Sequence, residues 1–86
     1  MFEYEFTHEN YPKKLDTTGF ADSPEDIKNE ILESRSDFKH VRSTYPNGFV
    51  MEVEQYSTKF IIRSNWEIVV ESNGIAHIIE PTKANS

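Results

Sequence analysis

The sequence predicts a small α+β domain in the order β–α–β–β–β–β, with one helix packed on an antiparallel sheet. Three patterns predict it: aromatic and acidic residues alternate at the amino terminus, apolar residues recur at helical spacing in the middle, and alternating segments separated by turn residues follow. The 86 residues suffice for one hydrophobic core. We therefore expect one domain over residues 1–80 and a disordered polar tail over residues 81–86.

The first seven residues, MFEYEFT, alternate as in a half-buried strand. The side chains expected to face the core are Phe2, Tyr4 and Phe6, and those expected to face solvent are Glu3 and Glu5. Residues 8–22 show no period, and we expect an ordered loop there. The side chains expected to hold this loop in place are Tyr11, Leu15 and Phe20.

A single helix is predicted to follow the loop. Ser23 is a favourable N-cap, Pro24 suits the first helical position, and Tyr45-Pro46-Asn47-Gly48 ends the helix and turns the chain. The apolar positions of this segment are spaced to form one buried stripe. They are Ile27, Ile31, Phe38 and Val41.

Four acidic residues share one flank of that predicted helix. Asp26, Glu30, Glu33 and Asp37 are spaced i, i+4, i+7 and i+11, which would place successive carboxylates about 5–6 Å apart. Like charges at this spacing repel each other by a few tenths of a kcal/mol per pair, so the stripe is slightly unfavourable for folding. We therefore expect it to serve binding, with a spacing similar to that of nucleic-acid phosphates.

Residues 49–80 alternate as in an antiparallel meander of strands. Turns are expected near Tyr56-Ser57 and Ser64-Asn65, and Asn73-Gly74 predicts a two-residue type I′ hairpin. These turns set the register of the strands. The expected facing pairs are Val53 with Phe60, Met51 with Ile62, Val70 with His77, and Ile68 with Ile79.

The outer face of this predicted sheet combines charged and apolar side chains. Ile61, Val69 and Ile78 would form an exposed apolar strip there, which is typical of a partner or dimer interface. In the other interpretation, the strip is covered by the loop at residues 8–22 or the register differs. The charged residues expected on this face are Glu52, Glu54, Glu67, Glu71, Lys59 and Arg63.

The net charge of -6 and the pI near 4.9 limit the possible partners. Direct binding to nucleic acid or to anionic membranes is disfavoured, because both depend on Lys and Arg. A basic protein partner is compatible with this charge. The chain has no cysteine, which fits a reducing compartment, and it has no apolar stretch long enough to span a membrane. We therefore expect a cytoplasmic protein.

Residues for catalysis or metal binding do not cluster in the sequence. His8, His40 and His77 are far apart, and no paired Cys/His spacing predicts a metal site. No serine lies in a nucleophile motif, and the three glycines stand alone in turns rather than in a phosphate-binding loop. We expect a protein that is not an enzyme and has no cofactor or metal.

Two functional classes fit this sequence. The first is a small acidic inhibitor that occupies a basic nucleic-acid-binding or nuclease site, of the phage anti-defence type (anti-CRISPR or anti-restriction) or the toxin-immunity type; this is an analogy of size and charge. The second is a non-inhibitory accessory subunit or homodimer that uses the outer sheet face. The acidic residues expected to bind the partner are Asp26, Glu30, Glu33, Asp37, Glu3, Glu5, Glu67 and Glu71.

Overall fold

The computed structural model describes residues 1–81, which form eight β-strands and one short 3-10 turn. The strands are β1 (Phe2–Thr7), β2 (Lys14–Asp16), β3 (Lys28–Arg35), β4 (Phe38–Thr44), β5 (Val50–Tyr56), β6 (Lys59–Ser64), β7 (Glu67–Val70) and β8 (Ile75–Ile79). The 3-10 turn is Pro24–Asp26. Residues 1–81 contain no α-helix, so the predicted α+β class is wrong and the protein is nearly all β.

The strands form two sheets. The wide sheet has five antiparallel strands in the order β1-β6-β5-β4-β3, so β1 and β3 are its edges. The narrow sheet has the order β2-β8-β7, in which β2 runs parallel to β8 and β7 runs antiparallel to it. The predicted single sheet is therefore also wrong. Most of the predicted 81–86 tail, residues 82–86, lies outside the described residues.

The predicted helix stops after one turn. Ser23 does cap this turn, because its Oγ accepts a hydrogen bond from the Glu25 N–H at 3.3 Å. At Ile27 the backbone is already extended, and the chain continues as the β3–β4 hairpin. Helical spacing was misleading here because β4 pairs with β3 on one side and with β5 on the other, and these ladders outweigh weak local propensities.

The β4–β5 loop and the β7–β8 loop each connect two antiparallel strands and have the same geometry. Each loop has three residues and ends in Asn-Gly. The closing pair is Tyr45 and Phe49 in the first loop and Glu71 and Ile75 in the second. The glycine N–H bonds the carbonyl three residues earlier, and Gly74 has a φ of 87°. The predicted two-residue loop at Asn73-Gly74 is therefore one residue too short.

This extra loop residue changes which side chains of β8 face the core. Ile68 pairs with Ile78, and Val69 pairs with His77, one position away from the predicted pairs. Because side chains alternate between faces, Ile78 packs against the core and His77 lies on the outer face.

The β5–β6 turn lies one residue later than predicted. Val53 pairs with Ile62 instead of Phe60, and Met51 pairs with Ser64 instead of Ile62. The facing partner shifts by two residues, which preserves the face to which each side chain points. The predicted apolar face of this hairpin is therefore correct although its pairs are not.

The chain crosses from the wide sheet to the narrow one after β6. Ser64 is fully buried, and its hydroxyl donates to the carbonyl of Trp66 at 2.7 Å. The Asn65 side chain accepts from the Val50 N–H and donates to the Gly48 carbonyl, both at 2.9 Å. The β5–β6 ladder ends at Ser64, and β7 belongs to the second sheet.

The core lies between the narrow sheet and one part of the wide sheet. Its buried side chains are Phe49, Met51, Ile62, Ile68 and Ala76. Neither β3 nor β4 contributes to this core among the described residues. Tyr4 and Phe6 of β1 pack against the core as predicted, whereas Phe2 is 44% exposed. The Tyr4 hydroxyl accepts a hydrogen bond from the Ile68 N–H at 2.8 Å. This bond joins the two sheets directly.

The loop at residues 8–22 packs on the core more closely than a plain loop would, because it contains β2. Leu15 and Phe20 pack against the core as expected. The Phe20 ring meets three aromatic rings edge-on at 5.7 to 5.9 Å. Those rings belong to Tyr45, Phe49 and Trp66.

Replacing Phe49 by alanine should lower the free energy of unfolding by about 3–5 kcal/mol, because Phe49 is fully buried and the cavity would not collapse. Urea unfolding followed by tryptophan fluorescence measures this change. The control is Ile79→Ala, at a side chain that is 46% exposed, which should cost less than about 1 kcal/mol. Equal losses in the two variants would contradict the assigned core.

Candidate interaction surfaces

The outer face of the wide sheet carries acidic and basic side chains in alternate strands. One row across the sheet reads Glu3, Arg63, Glu52, Arg42 and Glu30, from β1 to β3. Arg63 binds Glu3 through Nε and reaches Glu54 in the neighbouring row through Nη1, both at 2.7 Å. Opposite charges in facing positions stabilise a sheet, so this face is largely self-neutralised.

Glu52 lies near the centre of this network. Its carboxylate binds His40 at 2.7 Å and Arg42 at 3.2 Å, and its side chain is only 18% exposed. Burial acts to raise the pKa of Glu52, but the hydrogen bonds from His40 and Arg42 outweigh burial and lower it. His40, predicted at a helix end, is therefore part of the sheet's charge network.

The four residues of the predicted acidic stripe lie along one edge of the wide sheet. Asp26 is in the 3-10 turn before β3, Glu30 and Glu33 are in β3, and Asp37 is in the β3–β4 turn. Extended backbone advances about 3.3 Å per residue, so neighbouring carboxylates are spaced roughly 10–13 Å apart along the chain. This corrects the predicted helical spacing of about 5–6 Å, and the argument from phosphate-like spacing no longer applies.

Two large apolar side chains are exposed on this same edge strand. Ile31 is 65% exposed and Leu32 is 41% exposed, and both lie between Glu30 and Glu33 in the sequence. The ladder to β4 shifts register between Ile31 and Glu33, which marks a β-bulge at Leu32. Sequence reasoning missed this pair, because the helical pattern assigned Ile31 to the buried stripe.

We call the edge formed by Asp26, Glu30, Ile31, Leu32, Glu33 and Asp37 the acidic edge. Within residues 1–81, Glu30 has no ion-pair partner. Glu33 binds only Arg35 of its own strand, at 2.8 Å, and both side chains are well exposed. Exposed pairs of this kind contribute little, so the Glu33 carboxylate is available to a partner. The Glu30 carboxylate is half-buried and faces Arg42 without forming an ion pair.

The opposite edge of the wide sheet differs in this respect. Glu3 and Glu5 of β1 were also predicted to bind the partner; Glu3 faces Arg63 of β6 in the ladder, and Glu5 faces Ile61. Glu3 binds Arg63 at 2.7 Å, and Glu5 lies 3.9 Å from Lys59. Glu3 and Glu5 of β1 thus both make ion pairs with β6, whereas Glu30 of β3 faces Arg42 in the ladder but makes no ion pair within residues 1–81.

The predicted apolar strip is not formed. Ile61 pairs with Glu5 and Glu54 on the outer face of the wide sheet, Val69 is 45% exposed on the outer face of the narrow sheet, and Ile78 packs against the core. The prediction failed because it placed all three in one sheet and used the shorter Asn73-Gly74 loop.

The narrow sheet holds the remaining predicted acidic residues. Glu67 is at its β7 edge, and Glu71 follows β7 and binds His77 Nε2 at 2.7 Å. His77 Nδ1 lies 3.6 Å from Asp16 of β2, which is the facing residue in the ladder. Hydrogen bonds from Thr18 lower the pKa of Asp16. Glu67 and Glu71 are therefore on a different sheet from the acidic edge.

Cations and aromatic rings meet at the hairpin ends of the wide sheet. The Arg35 guanidinium lies 4.8 Å from the centre of the Phe38 ring, and the Lys59 ammonium lies 5.5 Å from that of Tyr56. The two rings are 5.0 Å apart and tilted. Because the protein's own cations lie over these rings, the cation–ring contacts fit a role in stabilising the sheet better than a role as an open platform on which a ligand stacks.

Two features are absent from the part of the chain that the structure describes. Residues 1–81 contain no group of three His, Cys, Asp or Glu side chains placed to hold a metal ion. In the same residues, no helix is long and apolar enough to cross a membrane. Comparisons with protein-family models, curated proteins and solved structures find no match to this chain.

Replacing Glu52 by glutamine should cost about 1.5–3 kcal/mol of unfolding free energy at pH 7, because two charged hydrogen bonds are lost. A carboxylate whose pKa is lower in the folded protein stabilises the fold at pH values above its pKa in the unfolded chain, which is near 4.5. This stabilisation is lost as the pH falls through the pKa of the carboxylate in the folded protein. The difference between the two proteins should therefore shrink at low pH.

Urea unfolding at neutral and acidic pH measures this dependence. The matched control is Glu67→Gln, because Glu67 is exposed and has no ion-pair partner within residues 1–81. A Glu52→Gln difference that stayed constant with pH would show that the carboxylate charge is not what stabilises the network.

Proposed function

We propose that this chain is a small acidic protein-binding module that uses the acidic edge to bind a basic surface of another protein. The observation that carries the proposal is the exposure of Ile31 and Leu32 between two carboxylates on an edge strand. Neighbouring exposed apolar side chains with a charged surround are typical of interaction sites.

The two kinds of side chain contribute differently to binding. Burying Ile31 and Leu32 against a partner supplies affinity, since each exposes a large apolar area. Glu30 and Glu33 favour a cationic partner and accelerate its association, an effect that salt weakens. We therefore expect binding that decreases with salt but is not abolished by it.

The kind of partner follows from the charge. A basic nucleic-acid-binding or nuclease site is a surface on which exposed cations are concentrated, and an acidic module can occupy it as an inhibitor. Small acidic proteins of the phage anti-defence and toxin-immunity types act in this way, and by analogy we propose the same role here. The absence of cysteine from the sequence is compatible with action in a cytoplasm.

The double variant Glu30→Lys and Glu33→Lys should reduce capture of the partner at least tenfold. The tagged chain is used to capture proteins from lysate of its host at about 50 and 300 mM salt, and bound proteins are identified by mass spectrometry. A basic nucleic-acid-binding protein, retained at low salt and displaced by DNA, is the expected partner.

The matched control is the double variant Glu9→Lys and Glu80→Lys. Both residues are exposed and lie outside the acidic edge, so the net charge changes by the same amount. The control should retain the partner. Equal loss in the two variants would mean that only total charge matters, and equal retention would mean that the acidic edge does not bind.

A second candidate function is that of an accessory or self-associating subunit. It is favoured by Val69 and Ile79, which are 45% and 46% exposed on the same outer face of the narrow sheet. If this face is an interface, sedimentation should show a dimer that Val69→Asp converts to a monomer. A wild-type chain that is monomeric at high concentration would exclude self-association through this face.

A further inference from the structure

We propose that the acidic edge binds its partner by β-strand addition, in which an extended basic segment of the partner pairs with Lys28–Ile31 of β3. This inference rests on the proposed function and specifies the form of the partner segment. It predicts that main-chain hydrogen bonds, as well as side chains, hold the partner.

The position of β3 provides the main-chain groups. β3 is the last strand of the wide sheet, and within residues 1–81 it pairs only with β4. In an edge strand of an antiparallel sheet, alternate residues direct their N–H and C=O groups away from the sheet. These groups can pair with one further strand.

The β-bulge sets the length of the pairing segment. Lys28, Asn29, Glu30 and Ile31 pair in continuous register with β4 before the shift at Leu32. Only Glu33–Arg35 remain after it, before the turn. A bulge interrupts the edge ladder, so the added segment is short and indefinite edge-to-edge growth is disfavoured.

Side chains of β3 define the chemistry of the added segment. Glu30 belongs to the charged outer face, because it pairs with Arg42, and Ile31 belongs to the inner face, because it pairs with Val41. An added strand places its own side chains beside these on the same two faces. The segment that fits therefore places a basic residue beside Glu30 and an apolar residue beside Ile31, while Lys28, on the same outer face as Glu30, disfavours a second basic residue beside it.

The other edges of the two sheets fit such a segment less well. The outer carboxylates of β1, Glu3 and Glu5, already make ion pairs with Arg63 and Lys59. In the narrow sheet, β2 has three residues and β7 has four. With eight residues, β3 is the longest of the four edge strands, and it combines two neighbouring exposed apolar side chains with Glu30, which makes no ion pair within residues 1–81.

The probe is a short peptide of alternating lysine and valine, blocked at both ends. Two matched forms carry N-methyl groups at every lysine or at every valine. In an added strand, the N–H groups of only one of these two sets point toward β3. We expect the unmodified peptide to protect backbone amides of Lys28–Ile31 from hydrogen exchange, and one methylated form to bind at least tenfold more weakly than the other.

Other results would overturn strand addition. Equal binding of the two methylated forms would show that side chains alone make the contact, and protection at β1 or β7 would place the segment on another edge. Failure of the unmodified peptide to bind would also overturn it. The Glu30→Lys, Glu33→Lys variant separates the two proposals. If this variant loses the partner while both methylated peptides bind the wild-type chain equally, the proposal that the acidic edge binds the partner still holds, and only strand addition is overturned.

Discussion

The structure depends on the packing of a three-stranded sheet onto part of a five-stranded one. The buried hydrophobic residues are Phe49 and Met51 at β5, Ile62 of β6, and Ile68 and Ala76 of the narrow sheet. The Tyr4 hydroxyl accepts a hydrogen bond from the Ile68 N–H across the two layers. Residues 1–81 have no α-helix, and the chain has no cysteine, so this one contact region must supply most of the buried apolar surface. The aromatic rings around Phe49 supply much of it.

The three-stranded sheet covers only part of the five-stranded sheet, and this determines which side chains of the wide sheet stay exposed. Within residues 1–81, the core includes residues from β1, β5 and β6 of the wide sheet but none from β3 or β4, so the β3–β4 hairpin is held mainly by its ladder to β5 and by charges on the outer face. Ile31 and Leu32 remain exposed for this reason. The charge network also explains why the surface of an acidic chain is not uniformly acidic: Arg63 and Arg42 bind carboxylates at the centre of the outer face, whereas Glu30 at the β3 edge makes no ion pair within residues 1–81.

Local patterns predicted some elements well and others wrongly, for physical reasons. β1 alternates over six residues with large aromatic side chains, and no competing period exists there. Residues 27–41 contain apolar side chains at helical spacing, but the same residues can form two strands joined by the Ser36-Asp37 turn. The pairing of β4 with β3 on one side and β5 on the other favours the two strands over the helix, and no pattern of neighbouring residues in the sequence indicates that pairing. For the candidate site, the sequence identified Glu30 and Glu33 but not Ile31 and Leu32, since exposure depends on what the narrow sheet covers.

The sequence by itself determined the charge, the one-core size, the inward side chains of Tyr4 and Phe6, and the positions of the turns at Asn47-Gly48 and Asn73-Gly74, because each depends on composition or on neighbouring residues. Only the tertiary structure decided the strand order, the division into two sheets and the edge position of β3. These features depend on contacts between residues far apart in the chain, such as Tyr4 with Ile68 and Glu3 with Arg63. The acidic edge follows from both, since the sequence places the carboxylates and the fold leaves them at an open strand.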